Sequence, residues 1–182
     1  HPNVNIVFLG TENNPNCSIK NFDDSIDDKN IPLTNLNKNF DYNKADTVFL
    51  ALPHGISNKY VKLFYDKIKI IDLSADFRLD NFDIYKKYYG NDHSVPNLLN
   101  KFIYGLVEFN KNKLFSNKNI AVPGCYPTSV LIPILPLLEH NFIKPFNIVI
   151  DSKSGFSGAG KKFDLSNMQN LGNYNFYNYN TN

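Results

Sequence analysis

Short apolar runs separated by polar stretches organise this chain. VNIVFLG (Val4 to Gly10), ADTVFLAL (Ala45 to Leu52, closed by Pro53), IKIIDLSADF (Ile68 to Phe77) and NIAVPG (Asn119 to Gly124) are rich in Val, Ile, Leu and Phe without strict alternation. Continuous runs of this kind predict parallel strands covered on both faces. Between the second and third, SNKYVKLFYDK (Ser57 to Lys67) carries Tyr60, Val61 and Phe64, followed by Ile68, at helical spacing, with Ser57 as a candidate N-cap. A strand, a helix and a strand in succession predict an α/β fold with a parallel sheet and crossover connections.

The polar, Asn- and Asp-rich segment from about Asn13 to Asp41 reads as loop with short regular pieces. PTSVLIPILPLLEH, after Cys125, is apolar on every side and predicts a buried helix with Pro127 in its first turn and a kink or restart at Pro133 and Pro136. FNIVIDSKSG (Phe146 to Gly155) predicts a fifth strand, the start of a second domain.

Composition changes this picture little. The 182 residues are enough for one good core, or one domain and part of another. A net charge of +2, with a single arginine at Arg78 among scattered lysines, gives no footprint for nucleic acid or an acidic membrane surface. No apolar run reaches the roughly 18 residues of a membrane span. Cys17 and Cys125 make no disulfide framework, which favours a reducing, cytoplasmic setting. His1, His93 and His140 have no partner at metal-ligand spacing, so no zinc site is expected.

Four stretches carry candidate chemistry. In AVPGCYPTS, Cys125 follows a strand and opens a helix, where unpaired amides and the helix dipole favour a thiolate, and Gly124 would let the backbone turn sharply. The ordinary alternative is a small buried hydrophobe, the reading kept for Cys17. DLSADFR puts Ser74, Asp76 and Arg78 at a strand's C-terminal end, the ligand edge of open α/β sheets, and Arg78 offers a fork for phosphate or carboxylate. A surface Asp76–Arg78 salt bridge is the plain alternative there. LPHG puts His54 at another strand end. SGFSGAGKK (Ser154 to Lys162) spaces Gly155, Gly160 and Lys161 like a nucleotide P-loop, but Lys162 stands where that loop needs Ser or Thr.

Taken in order, ALPHGIS, IDLSADFRL, YGLVEFN, VPGCYPTS and SGFSGAGKK resemble the N-acetyl-gamma-glutamyl-phosphate reductases over nearly the whole chain. The aspartate-semialdehyde dehydrogenases share that architecture but pair their cysteine with a preceding Asn, unlike GCYPT. The resemblance implies a Rossmann-like NADP-binding domain over residues 1–125, then residues 126–182 as the catalytic helix and the beginning of an α+β substrate and dimerisation domain. It implies Cys125 as nucleophile toward an acyl phosphate, with NADPH as reductant in arginine biosynthesis. By the same resemblance Arg78, Ser74 and Lys161 bind the anionic substrate, while Pro53, His54, Gly55, Ser157, Gly158, Ala159 and Gly160 lie along the cofactor. A homo-oligomer is implied for the full-length protein, and its setting is expected to be cytoplasmic, with an organelle as the alternative should a targeting segment precede His1.

Departures from the family pattern are Val107 where Pro is usual, Val122 where Asn is usual and Lys161 where Arg is common. The family's opening strand and phosphate loop are expected before His1, and its acid/base histidine beyond Asn182. The chain is therefore expected to be a fragment that is inactive alone. Two alternatives remain: a paralogue acting on a carrier-bound acyl phosphate in lysine biosynthesis, and a P-loop-like module or inactive relic.

Overall fold

The computed structural model describes residues 3–11, 14, 17–22, 25, 33–35, 41–155, 158 and 176–178. Two compact units divide the chain, His1–Pro123 and Gly124–Asn182.

In the first unit, β1 (Leu9–Thr11) and β2 (Leu33–Asn35) form a separate two-stranded parallel sheet. A four-stranded parallel sheet follows, built from β3 (Thr47–Leu50), β4 (Lys69–Asp72), β5 (Ile103–Tyr104) and β6 (Asn119–Ala121) in the spatial order β3-β4-β6-β5. Its helices are α1 (Ser57–Phe64), α2 (Phe82–Tyr89) and α3 (Val107–Ser116). The parallel α/β fold read from the apolar runs is the one observed. The predicted strand from Val4 is shorter than its apolar run, since pairing begins only at Leu9.

The helical period placed α1 correctly: Tyr60, Val61 and Phe64, with Ile68 beyond the helix, are buried against Leu50 and Ile70. Ser57 does not cap it. Ile56 holds the cap position without a side-chain bond, and the Ser57 hydroxyl donates instead to Asp72 Oδ1 at 2.8 Å. A buried carboxylate lacking donors is the costlier alternative, so the hydroxyl goes inward. The expectation of strands covered on both faces also needs correction. Burial alternates along β4 and β6, and on β3 Phe49 is 63% exposed.

The apolar-period reading did not anticipate α2. Its signals are local: Asn81 Oδ1 accepts the Ile84 amide at 3.0 Å, Lys86 and Lys87 sit in the last turn, and Gly90 ends it at φ +74°. These are a side-chain cap, cations at the negative end of the dipole and a left-handed stop. The helix delivers Tyr85 to an aromatic cluster with Phe77, His93 and Phe102. Phe77 stacks on Phe102 at 4.2 Å, and Tyr85 meets His93 edge-on at 4.7 Å.

In the second unit, α4 (Cys125–Glu139) runs unbroken through Pro133 and Pro136, so neither proline restarts it. Pro127 lies in its first turn, where a missing N–H costs nothing. The helix is not buried as its composition suggested. None of its residues is fully covered, and Ile132 and Leu137 are each 39% exposed. The predicted fifth strand shrinks to β7 (Lys153–Gly155), paired antiparallel with β8 (Phe176–Asn178). Val149, in the part left unpaired, is 93% exposed.

Candidate functional site

Strand register brings the candidate loops together. Leu50 pairs with Asp72, Asp72 with Ala121, and Ala121 with Tyr104, so four strands end in one row. The loops leaving that row are Pro53 to Gly55, Leu73 to Arg78, Gly105 and Val122 to Pro123. In an open parallel sheet this edge is where ligands bind.

Two buried carboxylates support the edge. Asp72 accepts from the Ser57 hydroxyl, the Ser74 amide at 3.1 Å and the Ser74 hydroxyl at 2.7 Å. Burial nevertheless pushes its pKa above the ordinary carboxylate value, outweighing those hydrogen bonds. Asp76, fully buried, accepts from the Gly55 amide at 2.7 Å, the Asn58 amide at 3.2 Å and His54 Nδ1 at 2.7 Å. Ser74 links the two, its hydroxyl oxygen accepting the Asp76 amide at 3.1 Å. Ser74, read as a substrate contact, is thus buried with its hydroxyl spent inside the protein.

Arg78 does not pair with Asp76. Its Nε donates to the Val122 carbonyl at 2.8 Å and its Nη2 to the Leu73 carbonyl at 3.0 Å, just past the ends of β6 and β4. A guanidinium has five N–H donors, so others remain for a ligand. Its charge counters the burial that raises the Tyr89 and Tyr104 hydroxyl pKa values.

The Pro53 to Gly55 turn is held from beneath. Gly55 has φ +83°, a conformation that costs other residues about 1–2 kcal/mol, and among the described residues, its chain neighbours aside, no heavy atom lies within 4 Å of where its Cβ would be. His54 keeps 36% of its side chain exposed while its ring lies 4.6 Å from that of Tyr89. Tyr85, whose hydroxyl pKa burial and the Asp76 charge push up to about 12, lies 3.4 Å from His54 Nε2.

In the second unit, Cys125 is an exposed free thiol at the first position of α4. Gly124 precedes it at φ −73°, ψ 155°, an ordinary extended conformation, so the sharp turn expected of that glycine is not used. No side chain caps the helix start, and the Thr128 amide and hydroxyl both bond to the Gly124 carbonyl, at 3.0 and 2.9 Å. Cys17, half-buried beside a short 3-10 turn, has no comparable setting.

Of the glycine-rich segment, Ser157, Ala159, Gly160 and Lys161 lie outside the described residues. Gly158 is described and packs closely on Ser154. Among the described residues no cluster of His, Cys, Asp or Glu could hold a metal ion, and no helix is long and apolar enough to cross a membrane. Asp72, Tyr85 and Tyr89 escaped the sequence reading. Asp72 stands inside DLSADFR beside its partner Ser74, but its link to Ser57, like those of Tyr85 and Tyr89 to His54, joins residues far apart in the chain.

Family models match most of the chain. A family model described as semialdehyde dehydrogenase, NAD binding domain, matches residues 1–117. A second, described as semialdehyde dehydrogenase, dimerisation domain, matches residues 125–182. The N-acetyl-gamma-glutamyl-phosphate reductase of Ehrlichia chaffeensis is 44% identical over 163 residues, 88% of this chain and 46% of that protein. The protein of the same name from Caldicellulosiruptor saccharolyticus is 46% identical over 170 residues, 91% of this chain and 48% of its own. That from Acinetobacter baylyi is 45% identical over 139 residues, 74% and 40%. The chain spans about half the length of the first two of these relatives.

Proposed function

Because the chain belongs to the semialdehyde dehydrogenase family, we propose that the full-length protein reduces N-acetyl-gamma-glutamyl phosphate to its semialdehyde in arginine biosynthesis, through a thioester on Cys125. The observation that carries this reading is Cys125 itself, an exposed free thiol opening an uncapped helix. A side-chain cap there would occupy the amides that suit a thiolate or a developing oxyanion.

The chemistry divides between a nucleophile and a binding edge. The Cys125 thiolate attacks the acyl carbon, the carbon–oxygen bond to phosphate breaks, and phosphate leaves with the electron pair, giving a thioester. A nicotinamide bound at the strand edge would supply the hydride that reduces the thioester. Collapse of the resulting hemithioacetal breaks the carbon–sulfur bond and restores the thiolate. Arg78, with its fork fixed by two carbonyls, holds the anionic end of the substrate, and Lys161 assists. Ser74 contributes by holding the Leu73 to Arg78 loop.

The nicotinamide cofactor fits the turn at the end of β3, where space is open beside Gly55 and the His54 ring is partly exposed. Pro53, His54 and Gly55 would hold it, with the Ser157 to Gly160 backbone. NADPH rather than NADH is part of the proposal, as are the division at residues 1–125 and 126–182, a homo-oligomer and a cytoplasmic setting.

The test is oxidation of NADPH by the full-length protein with N-acetyl-gamma-glutamyl phosphate, compared with NADH and with a carrier-bound acyl phosphate. Activity with the first pair that disappears in Cys125→Ala is expected. Preference for the carrier-bound substrate would move the protein to the related lysine-pathway chemistry.

A further inference from the structure

The Pro53 to Gly55 turn and the start of α1 look like a place for a ligand's anion, since amides point from a helix start toward a strand-edge loop. The structure fills that place from within. The Asp76 carboxylate, with no exposed surface, accepts the Gly55 amide, the Asn58 amide and His54 Nδ1 at 2.7, 3.2 and 2.7 Å. Both of its oxygens are used, Oδ1 by Gly55 and His54 and Oδ2 by Asn58.

From this we infer that Asp76 is a positioning residue, an internal anion that holds His54 as its Nδ1–H tautomer and leaves the turn a flat imidazole surface for a heteroaromatic ring. The inference rests on the reading of this turn as part of the cofactor site. Both ring nitrogens face inward. Nδ1 lies 2.7 Å from the Asp76 carboxylate and Nε2 lies 3.4 Å from the Tyr85 hydroxyl, so in this tautomer Nδ1–H donates to Asp76 and Nε2 accepts from Tyr85, whose pKa of about 12 keeps its proton in place. Tyr89 lies against one side of the ring. The exposed part of His54 therefore offers neither a free donor nor a free acceptor. Recognition there works by stacking and shape, with phosphate groups bound elsewhere.

The tautomer can be read directly from long-range proton–nitrogen NMR spectra of the full-length protein labelled at histidine. A neutral His54 protonated at Nδ1 is expected, and it should persist in Tyr85→Phe. Protonation at Nε2, or at both nitrogens, at neutral pH overturns the assignment. So does loss of the Nδ1–H form in Tyr85→Phe. In Asp76→Asn the tautomer preference should disappear and NADPH binding should weaken about tenfold, the equivalent of one unsatisfied buried group. Retention of the Nδ1–H form in that variant contradicts the inference. A separate variant, His54→Ala, tests the underlying reading. If it binds NADPH as tightly as wild type while wild-type His54 is the Nδ1–H tautomer, the positioning stands and the cofactor site lies elsewhere.

Discussion

Ser57 and Asp72 are both fully buried and joined by a 2.8 Å hydrogen bond from Ser57 Oγ to Asp72 Oδ1, tying the first turn of α1 to the end of β4. The bond explains a serine that fails to cap its own helix. Ser57→Ala should cost about 1–3 kcal/mol, because a buried acceptor loses a donor, and should raise the Asp72 pKa further. Urea unfolding of the full-length protein measures the first effect. An unchanged midpoint would mean that a water replaces the hydroxyl.

Two buried groups give stability opposite slopes with pH. Burial lowers the His93 pKa, so the folded state keeps the ring neutral while the unfolded chain takes up a proton. Its contribution is intact above about 6.5 and is lost as pH falls from there through the lower folded value. Asp72 is the reverse: its folded pKa is raised, so the folded state binds more proton. Its contribution is full below the unfolded pKa of about 3.9 and is lost as pH rises through the raised folded value. His93→Asn keeps an acceptor for the Val95 amide, now bonded to His93 Nδ1 at 3.2 Å, and should flatten the loss below about pH 6.5. Unfolding midpoints across this range check it, and an unaltered profile in His93→Asn would assign the loss to other groups.

Three glycines should separate by mechanism. Gly55 and Gly90 have φ +83° and +74° with open space where a Cβ would point. Alanine at either should cost about 1–2 kcal/mol through the backbone alone, and Gly90→Asn less than Gly90→Ala. At Gly105 an added Cβ would lie 3.0 Å from Ile120 Cγ2 and 3.1 Å from the Ala121 carbonyl oxygen. There Gly105→Ala should disturb the β5 and β6 ends, visible in amide exchange at Ala121. Unaltered exchange would show that Ile120 yields without moving the strands.

Arg78 binds two backbone carbonyls through a fork that lysine lacks. Arg78→Lys should cost about 1–3 kcal/mol of stability and raise KM for the acyl phosphate. Steady-state kinetics alongside urea unfolding separate the effects. A stability loss with KM unchanged would make the residue a strand clamp only.

Strands β3, β4 and β6 were legible because they are apolar runs, and α1 because Tyr60, Val61 and Phe64 repeat at helical spacing, while the two-residue β5 was too short to show as a run. Helix α2 was missed although its cap and stop are local, whereas what stayed hidden at the strand edge depends on distance in the chain. Asp76 finds His54 and Gly55 across a strand and a helix, and no local spacing encodes that meeting. Arg78 stood out as the lone arginine, yet its carbonyl partner at Val122 depends on β4 lying beside β6. The apolar run after Cys125 gave a helix correctly but misled on burial, since composition reports what a helix could bury and not what covers it. FNIVIDSKSG misled in the same way, its apolar half remaining unpaired while only Lys153–Gly155 joins a ladder.

The most direct measurement is mass spectrometry of the full-length protein after mixing with N-acetyl-gamma-glutamyl phosphate in the absence of NADPH. The nucleophile role predicts an acyl adduct on the Cys125 peptide, labile to hydroxylamine, absent from Cys17 and abolished in Cys125→Ala. An active protein that releases phosphate with no adduct at Cys125, or with the acyl group on Cys17, would contradict it.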